Sequence, residues 1–270
     1  MQDYFYELSI KPEKNFEFFS SLCLELTSSA IEEKDACIIV RSEDALDDIA
    51  WVLEETAKKL ETNIEIKLTK KENQDWINKY KSSVNPITIS SFYIRPDWEE
   101  PKDGLIDIII NPALAFGSGH HESTNSCVEL IERHVKSEDR VLDVGTGSGI
   151  LAICASKKGA LVDICDTDEL SVKSAEENFA LNSVKFNKSW VGSANRADDS
   201  YDVVVANIIA DIIIMINSDL KKAVKESGFL ILSGIIDKYF SKVREKFKDF
   251  ELVEHIEKGE WHTVMLQKRK

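Results

Sequence analysis

Three glycines alternate with other residues in the segment VLDVGTGSGILAI, residues 141–153. The segment begins as an apolar strand and ends as the first turns of a helix, and Gly145, Gly147 and Gly149 lie between the two. Glycine allows the backbone to take a positive φ and to approach a ligand closely, and the N–H groups at the start of the helix face any negative group there. This pattern predicts a site for a nucleotide-like cofactor. A plain strand-to-helix turn is the alternative interpretation.

The spacing of these glycines argues against a dinucleotide cofactor. The dinucleotide fingerprint G-x-G-x-x-G ends in glycine or alanine, whereas Ile150 occupies that place here. The residues from Asp143 onward follow D-x-G-x-G-x-G instead. This pattern resembles the first motif of class I S-adenosylmethionine-dependent methyltransferases.

Two carboxylates follow the next apolar segment, ALVDIC, and precede a helical pattern. An acid at the end of the second strand of a doubly wound sheet can accept hydrogen bonds from both ribose hydroxyls of a nucleotide. We assign this role to Asp166. Asp168 is the alternative ribose ligand, but it can also be explained as the cap of the helix that follows.

A third buried strand is predicted in YDVVVANIIADI, residues 201–212, and its apolar run stops at Asn207. Ligands of open α/β sheets bind beyond the carboxyl ends of the strands. We therefore expect Asn207 to lie at the same edge of the sheet as the glycines.

Strand and helix patterns alternate from residue 105 onward, which indicates a parallel sheet with both faces covered by helices. The last two strand patterns, ELVEHIEK and WHTVMLQK, are separated by Gly259 and predict a hairpin with one antiparallel strand. The predicted fold of residues 105–270 is therefore α/β, a Rossmann-like doubly wound sheet of the class I methyltransferase type with an antiparallel C-terminal hairpin.

The first part of the chain has a different pattern. Residues 1–70 read as β-α-β-β-α-β, which predicts a small ferredoxin-like α+β domain. No glycine occurs in the first hundred residues, so this domain lacks a phosphate cradle and is expected to recognise a substrate. Residues 71–104, with three prolines, are predicted to be a linker. Trp76 and Tyr80 would share a helix face there, and they either dock the linker on a domain or lie in a substrate groove.

Composition narrows the choice of partner. The 270 residues carry a formal net charge of −14, which disfavours direct binding to nucleic acid and favours a basic protein, although acidity that serves only solubility is the alternative. No apolar run approaches twenty residues and no signal segment is recognisable, so no membrane association is expected. The five cysteines form no C-x-x-C pair and are expected to be core residues in a reducing cytoplasm.

The segment NPALAFGSGHHEST, residues 111–124, narrows the family. Together with VLDVGTGSGILAI and VVANIIA, at these intervals, it closely resembles the bacterial ribosomal protein L11 methyltransferases over nearly the whole chain. The resemblance implies S-adenosylmethionine as the methyl donor. It also implies methylation of the N-terminal α-amine and of lysine ε-amines of ribosomal protein L11, often to the trimethyl state.

The resemblance further implies which residues form the site. The expected cofactor-binding set consists of residues around the glycine loop, the ribose acid and the ends of neighbouring elements: Thr124, Gly145, Gly147, Gly149, Asp166, Asn207, Phe116 and Gly117. The hydroxyl of Thr124 would meet the methionine end of the cofactor, and an ordinary threonine at a helix start is the alternative. Asn207 would be the catalytic residue that accepts a hydrogen bond from the incoming amine.

The expected mechanism is in-line attack of a neutral amine on the sulfonium methyl, with the enzyme supplying alignment. Burial and the positive sulfonium lower the pKa of the amine, so no strong base is required. No metal is expected, because His120 and His121 have no third ligand at suitable spacing, and His134, His255 and His262 receive no role.

Two other functions remain open at this stage. One is a methyltransferase acting on another protein or on a small-molecule amine. The sequence Asn207-Ile208-Ile209-Ala210 lacks the N-P-P-[YF] signature and so argues against the glutamine-methylating relatives. The other is a non-catalytic factor that binds a ribosomal protein, against which the intact glycine motif and Asp166 argue.

Overall fold

The computed structural model describes residues 4–27, 31–34, 36–42, 44–72, 84–111 and 121–269. Contacts between residues divide the chain into two units, Met1–Val84 and Asn85–Lys270. The division falls inside the segment predicted as a linker, because the residues from Asn85 onward pack with the second unit. Trp76 and Tyr80 lie outside the described residues. Within the described ranges, no helix is long and apolar enough to cross a membrane.

The first unit has the ferredoxin-like topology that the order of its patterns predicted. Its four strands form a sheet in the order β2-β3-β1-β4, and every neighbouring pair is antiparallel. The elements are β1 (Tyr4–Pro12), α1 (Phe16–Thr27), β2 (Ile31–Lys34), β3 (Cys37–Ser42), α2 (Asp47–Lys59) and β4 (Ile64–Glu72).

Alternating strand residues build the core of this unit. Leu8 and Ile10 of β1 are fully buried, because side chains two positions apart point to the same face of a strand. They pack in one apolar cluster with Phe19 of α1 and Leu53 of α2. The two helices therefore cover one face of the sheet.

A small sheet begins the second unit. It consists of β5 (Ile87–Ile89), β6 (Phe92–Arg95) and β7 (Ile106–Ile109), with β5 antiparallel and β7 parallel to β6. Phe92 is fully buried in the core of the second unit. Arg95 donates through Nε and Nη2 to the two carboxylate oxygens of Asp107 at 2.7 and 2.8 Å, which fastens β6 to β7. The strand-like segment of the predicted linker is thus part of this unit.

The main sheet has seven strands in the order β10-β9-β8-β11-β12-β14-β13. The pairs from β10 to β12 are parallel, while β14 is antiparallel to both β12 and β13, which confirms the predicted C-terminal hairpin. The strands are β8 (Arg140–Val144), β9 (Leu161–Asp166), β10 (Lys188–Val191), β11 (Tyr201–Asn207), β12 (Val224–Ile236), β13 (Phe250–Lys258) and β14 (Trp261–Lys268).

Helices cover both faces of this sheet, as a doubly wound fold requires. Residues of α3, α4 and α5 belong to one apolar cluster, and residues of α6, α7 and α8 belong to a second. The helices are α3 (Glu122–His134), α4 (Ile150–Lys157), α5 (Glu169–Leu181), α6 (Ala210–Met215), α7 (Asn217–Ala223) and α8 (Asp237–Lys246).

The strand order reverses between β8 and β11. From β8 the chain proceeds to β9 and β10 in one direction, and then returns to β11 on the other side of β8. Such a reversal opens a crevice at the carboxyl ends of the two central strands, where open α/β sheets bind their ligands. The glycine segment follows β8 and Asn207 ends β11, so both lie at this crevice.

Candidate functional site at the carboxyl edge of the main sheet

The glycine segment makes a tight connection between β8 and α4. Gly145, Gly147 and Gly149 have φ values of 74°, 54° and 80°, in the left-handed region that glycine adopts without strain. A Cβ atom at Gly145 would collide with the side chain of Ile208, and one at Gly149 would lie 3.0 Å from the Cβ of Ala175. The loop therefore requires glycine both for its backbone shape and for its close packing.

The carboxylate of Asp166 lies beside this loop at the end of β9. Its Oδ2 accepts the N–H of Gly147 at 3.0 Å, and its Oδ1 accepts the N–H of Asp168 at 3.0 Å. These two bonds fix the carboxylate against the glycine loop. Asp166 is half-buried and lines the cavity described below.

Asp168 caps helix α5. Its carboxylate accepts the N–H of Leu170 at 3.0 Å and the hydroxyl of Ser171 at 3.1 Å. Asp168 is exposed and is not among the residues that line the cavity. The capping role that the sequence offered as an alternative is therefore the one that the geometry of Asp168 displays.

The side chains of Asn207 and Thr124 are in contact at the carboxyl edge of the main sheet. The side-chain Nδ2 of Asn207 donates to the hydroxyl of Thr124 at 3.2 Å. Thr124 belongs to α3 and is only 1% exposed, so packed protein atoms surround its side chain. Because the amide nitrogen faces Thr124, the amide oxygen Oδ1 of Asn207 faces away from it.

Two hydroxyl groups, one on β12 and one on β14, connect the sheet to the start of α3 beside this pair. Asn207 is paired in the sheet with Ser233 of β12. The hydroxyl of Ser233 donates to the carbonyl oxygen of Ser123 at 3.2 Å and lies 2.6 Å from the hydroxyl of Thr263 on β14. Through these contacts, the first turn of α3 is fixed over three adjacent strands.

His121 and Trp261 form one wall of the site. His121 is the N-cap residue of α3, and its Nδ1 lies 2.7 Å from the hydroxyl of Ser123. Its ring meets the ring of Trp261 edge to face, with centroids 4.5 Å apart. No pattern in the sequence marks Trp261 as a site residue, and His120 lies outside the described residues.

Asp143, the acidic residue of the glycine motif, is 1% exposed. Its Oδ2 accepts the hydroxyl of Thr146 at 2.8 Å, and its Oδ1 has no hydrogen-bond partner. Burial raises the pKa of this carboxyl to about 7, the Thr146 hydrogen bond lowers it, and the negative charge of Asp166 raises it. The motif thus contains a carboxyl group that holds its proton up to neutral pH.

Asn178 of α5 joins two segments of the site. Its Nδ2 donates to the carbonyl oxygen of Ser148 in the glycine loop at 2.8 Å, and its Oδ1 accepts the N–H of Asn111 at 3.0 Å. The side chain of Asn178 is fully buried. One amide therefore connects the glycine loop to the residue at which the segment NPALAFGSGHHEST begins.

These elements enclose a cavity of about 630 Å³, which lies within the usual range for small-molecule sites. Five of the residues predicted to bind the cofactor line it: Thr124, Gly145, Gly147, Asp166 and Asn207. Gly149 is not in the lining and serves as the N-cap residue of α4. Phe116 and Gly117 lie outside the described residues.

Apolar side chains complete the cavity. Ile150, Ile208 and Ile212 line its interior. Ile209 and Met215 also belong to the lining, although their exposed fractions are 67% and 68%. The cavity is thus an apolar cleft with a few fixed polar groups and an apolar rim. These isoleucines and the methionine are not among the predicted site residues.

This arrangement fits S-adenosylmethionine. Ile208 occupies the space that a Cβ atom at Gly145 would need. Residue 145 therefore presents only its backbone to the cavity. Asp166 places in this cavity a carboxylate, a group that can accept hydrogen bonds from two hydroxyls, and the apolar walls suit a planar base. The amide of Asn207 and the hydroxyl of Thr124 supply uncharged polar groups in the same cavity.

Comparisons with known proteins agree with this geometry. A family model described as ribosomal protein L11 methyltransferase (PrmA) matches residues 12–269. A protein of that name from Campylobacter concisus is 50% identical over 267 residues, which are 97% of this chain and 96% of the relative. Another from Nitratiruptor sp. is 48% identical over 273 residues, which are 99% of this chain and 97% of the relative.

A solved structure shows the same similarity. The crystal structure of a ribosomal protein L11 methylase from Lactobacillus delbrueckii subsp. bulgaricus is 32% identical in sequence and superposes with a TM-score of 0.65. The match covers 69% of this chain and 100% of the other.

Proposed function

The chain belongs to the ribosomal protein L11 methyltransferase family, and we propose that it methylates the N-terminal α-amine and lysine ε-amines of ribosomal protein L11, with Asn207 orienting the amine. The observation that carries the role of Asn207 is its bond to Thr124 in the lining of the cavity, because this bond engages the amide nitrogen and leaves the amide oxygen as the acceptor. The fold and the family make S-adenosylmethionine the methyl donor.

The chain's own residues would hold the donor in the following way. Asp166 accepts the ribose hydroxyls, the backbone of the glycine loop approaches the donor closely, and Thr124 contacts its methionine end. Phe116 and Gly117 remain predicted members of this set. When bound, S-adenosylmethionine supplies a methyl group that is activated by a positively charged sulfur.

Asn207 aligns the amine without taking its proton. A side-chain amide oxygen accepts an N–H and leaves the amine lone pair free to point elsewhere. The hydrogen bond to Thr124 restrains this side chain within the cavity lining. The contribution of Asn207 is therefore orientation, which is a large source of rate in reactions between two bound groups.

The proton of the amine needs an exit rather than a strong base. A lysine ε-amine has an ordinary pKa of about 10.4, so being neutral at pH 7 costs about 5 kcal/mol unless the site lowers that pKa. The apolar lining and a neighbouring positive charge both lower it. Among the described lining residues, His121 and Asp166 carry ionisable side chains, and both are engaged by hydrogen bonds.

The rim of the cavity suits the apolar stem of a lysine. Ile209 and Met215 are exposed apolar side chains at the entrance, and a lysine buries its methylene groups against such surfaces while its amine reaches a polar site. The net charge of −14 favours encounter with a basic protein. Action in the cytoplasm, where ribosomal proteins are assembled, is part of this proposal.

The test is mass spectrometry of ribosomal protein L11 after incubation with this protein and S-adenosylmethionine. We expect mass gains in steps of one methyl, and peptide mapping should place them on the N-terminus and on lysines. Asn207→Ala should lower the rate roughly 100-fold, in the range found when one polar group that orients or stabilises the reacting atoms is removed. Asn217→Ala is the matched control, because it removes an amide that donates to the carbonyl oxygen of Ile214 at 2.7 Å and does not line the cavity.

The experiment tests the substrate and the role of Asn207 separately. If the substrate gains no mass while the donor still binds in calorimetry, ribosomal protein L11 is the wrong substrate. If Asn207→Ala methylates as fast as the unaltered protein, the substrate stands and the assigned role of Asn207 is wrong.

A further inference from the structure

Three side chains meet on one face of the C-terminal hairpin. His255 and Glu257 are two positions apart on β13, so they point to the same face of the strand. Glu257 is paired directly with His262 of β14, and residues directly opposite each other in an antiparallel pair have Cβ atoms about 4.5–5.5 Å apart. The register of the hairpin therefore places two imidazoles and a carboxylate together.

The donor atoms of these side chains converge. His255 Nε2 lies 2.9 Å from His262 Nδ1, and these two nitrogens and a carboxylate oxygen of Glu257 all lie within 4.8 Å of one another. The two rings are 17° from parallel with centroids 5.1 Å apart, so they lie nearly edge to edge in one plane. The ring of Phe240 stacks on both, at 4.7 and 4.4 Å between centroids.

Asp237 fixes the tautomer of His262. Its Oδ1 lies 2.7 Å from His262 Nε2, so this nitrogen carries the proton and donates it to the carboxylate. The lone pair of His262 is then on Nδ1, the atom that faces His255. A carboxylate behind the far nitrogen of a histidine is the arrangement that orients histidine ligands in metal sites.

Carboxylates lie on two sides of the imidazoles. A carboxylate oxygen of Glu257 lies within 4.8 Å of His255 Nε2 and His262 Nδ1, and Asp237 accepts from the far nitrogen of His262. The negative charge of these two groups favours a bound cation.

We propose that His255, Glu257 and His262 bind a divalent transition-metal ion, with zinc as the ion whose preferences they match. Two imidazole nitrogens and one carboxylate are common zinc ligands, at about 2.0–2.2 Å, with water in a fourth position. Nitrogens that hold zinc tetrahedrally lie roughly 3.4 Å apart, so the pair opens by about 0.5 Å. His255 is exposed and free to make this adjustment.

The ion has a structural role in this proposal. His262 follows Trp261 in β14, and successive strand residues point to opposite faces of the sheet. The metal site therefore lies on the face of the hairpin away from the wall that Trp261 forms. An ion held by β13 and β14, with Asp237 behind His262, fastens the end of the hairpin to the start of α8.

The experiment is a calorimetric titration of zinc chloride into the full-length, untagged protein after removal of metals with a chelator. We expect one equivalent of zinc to bind with micromolar affinity and to raise the melting temperature. His255→Asn and Glu257→Gln should each weaken the affinity at least tenfold. His134→Asn and Glu251→Gln are the matched controls, since His134 bonds Glu254 and Glu251 lies on the same strand outside the cluster.

The variants were chosen to keep the fold intact. His255 and Glu257 are exposed, whereas His262 is 6% exposed and is left unaltered. Asp237→Asn tests the positioning of His262 and should weaken zinc binding about 10- to 100-fold. Replacing zinc by cobalt(II) should give the intense visible absorption of a four-coordinate site.

Two results overturn the proposal. One is the absence of binding heat at millimolar zinc, and the other is equal affinity in His255→Asn and in the controls. The inference does not rest on the proposed methyl transfer, because every readout is a property of the protein alone.

Discussion

The amide nitrogen of Asn207 donates to the hydroxyl of Thr124 over 3.2 Å, although the two residues are 83 positions apart in the chain. One residue ends β11 and the other lies in the first turn of α3, so the contact is made only in the folded protein. It restrains the side-chain amide in the lining of the cavity, so we expect Thr124 to have a positioning role beside its expected contact with the cofactor.

Thr124→Val should lower kcat about fivefold, because a hydrogen bond of about 1 kcal/mol no longer holds the amide in place. Thr124→Ser keeps the hydroxyl and should restore most of the rate. Initial rates of methyl incorporation into ribosomal protein L11 at saturating substrate provide the measurement. Equal rates for the valine and serine variants would show that the hydroxyl does not position Asn207.

Asp166→Ala should weaken binding of S-adenosylmethionine roughly 100-fold, because hydrogen bonds from hydroxyl groups to a charged acceptor are worth about 1.5–3 kcal/mol each. Calorimetric titration of the donor measures this affinity. Asp168→Ala is the control: it removes the cap of α5 and should lower the melting temperature by about 2–4 °C while leaving the affinity nearly unchanged. An unchanged affinity in Asp166→Ala would contradict the assignment of the ribose site.

Gly145→Ala should destabilise the protein more than Gly259→Ala does. Both residues have positive φ, 74° and 59°, so each substitution carries a backbone cost of about 1–2 kcal/mol. Only the new Cβ at position 145 collides with Ile208, whereas the space around Gly259 is open. Urea unfolding gives the difference between the two variants, which isolates the collision. Equal losses would mean that Ile208 moves aside at little cost.

Asp143→Asn should change how stability depends on pH. The folded protein raises the pKa of Asp143 from 3.8 to about 7, so between these values the folded state retains a proton that the unfolded chain releases. The stabilisation that this proton gives is present below pH 4 and is lost as pH rises through 7. Asparagine does not titrate, so the variant should avoid this loss.

The measurement for Asp143 is the free energy of unfolding at pH 5 and pH 8 in both proteins. The difference between variant and unaltered protein should grow in favour of the variant towards pH 8, on the order of a few kcal/mol. The unpaired amide of the new side chain adds a cost that is the same at both pH values. A constant difference would show that Asp143 ionises at its ordinary pKa.

The sequence predicted the parts of the fold that depend on local periodicity. The glycine loop, the end of β11 at Asn207 and the hairpin turn at Gly259 each have a short-range signal in residue type and spacing. The expectation that Asp166 rather than Asp168 binds the ribose also follows from local reasoning. A carboxylate next to the start of a helix can cap that helix instead of binding a ligand.

Long-range contacts were beyond such reasoning. The edge-to-face contact of His121 with Trp261 and the hydroxyl contacts of Ser233 join residues more than a hundred positions apart or on different strands, so no spacing rule predicts them. The segment around β5 and β6 was interpreted as linker because of its prolines. Its place in the second unit depends on parallel pairing with β7 and on the burial of Phe92, which only the assembled core reveals.

The amide of Asn178 has a thermodynamic consequence for the cavity. Because the same side chain bonds Ser148 in the glycine loop and Asn111 ahead of α3, these two backbone positions share one restraint. A ligand that stabilises the loop therefore also stabilises the anchor at Asn111, and a change at either end alters the free energy of the other. Binding of a ligand at the glycine loop is in this way linked thermodynamically to the backbone at Asn111.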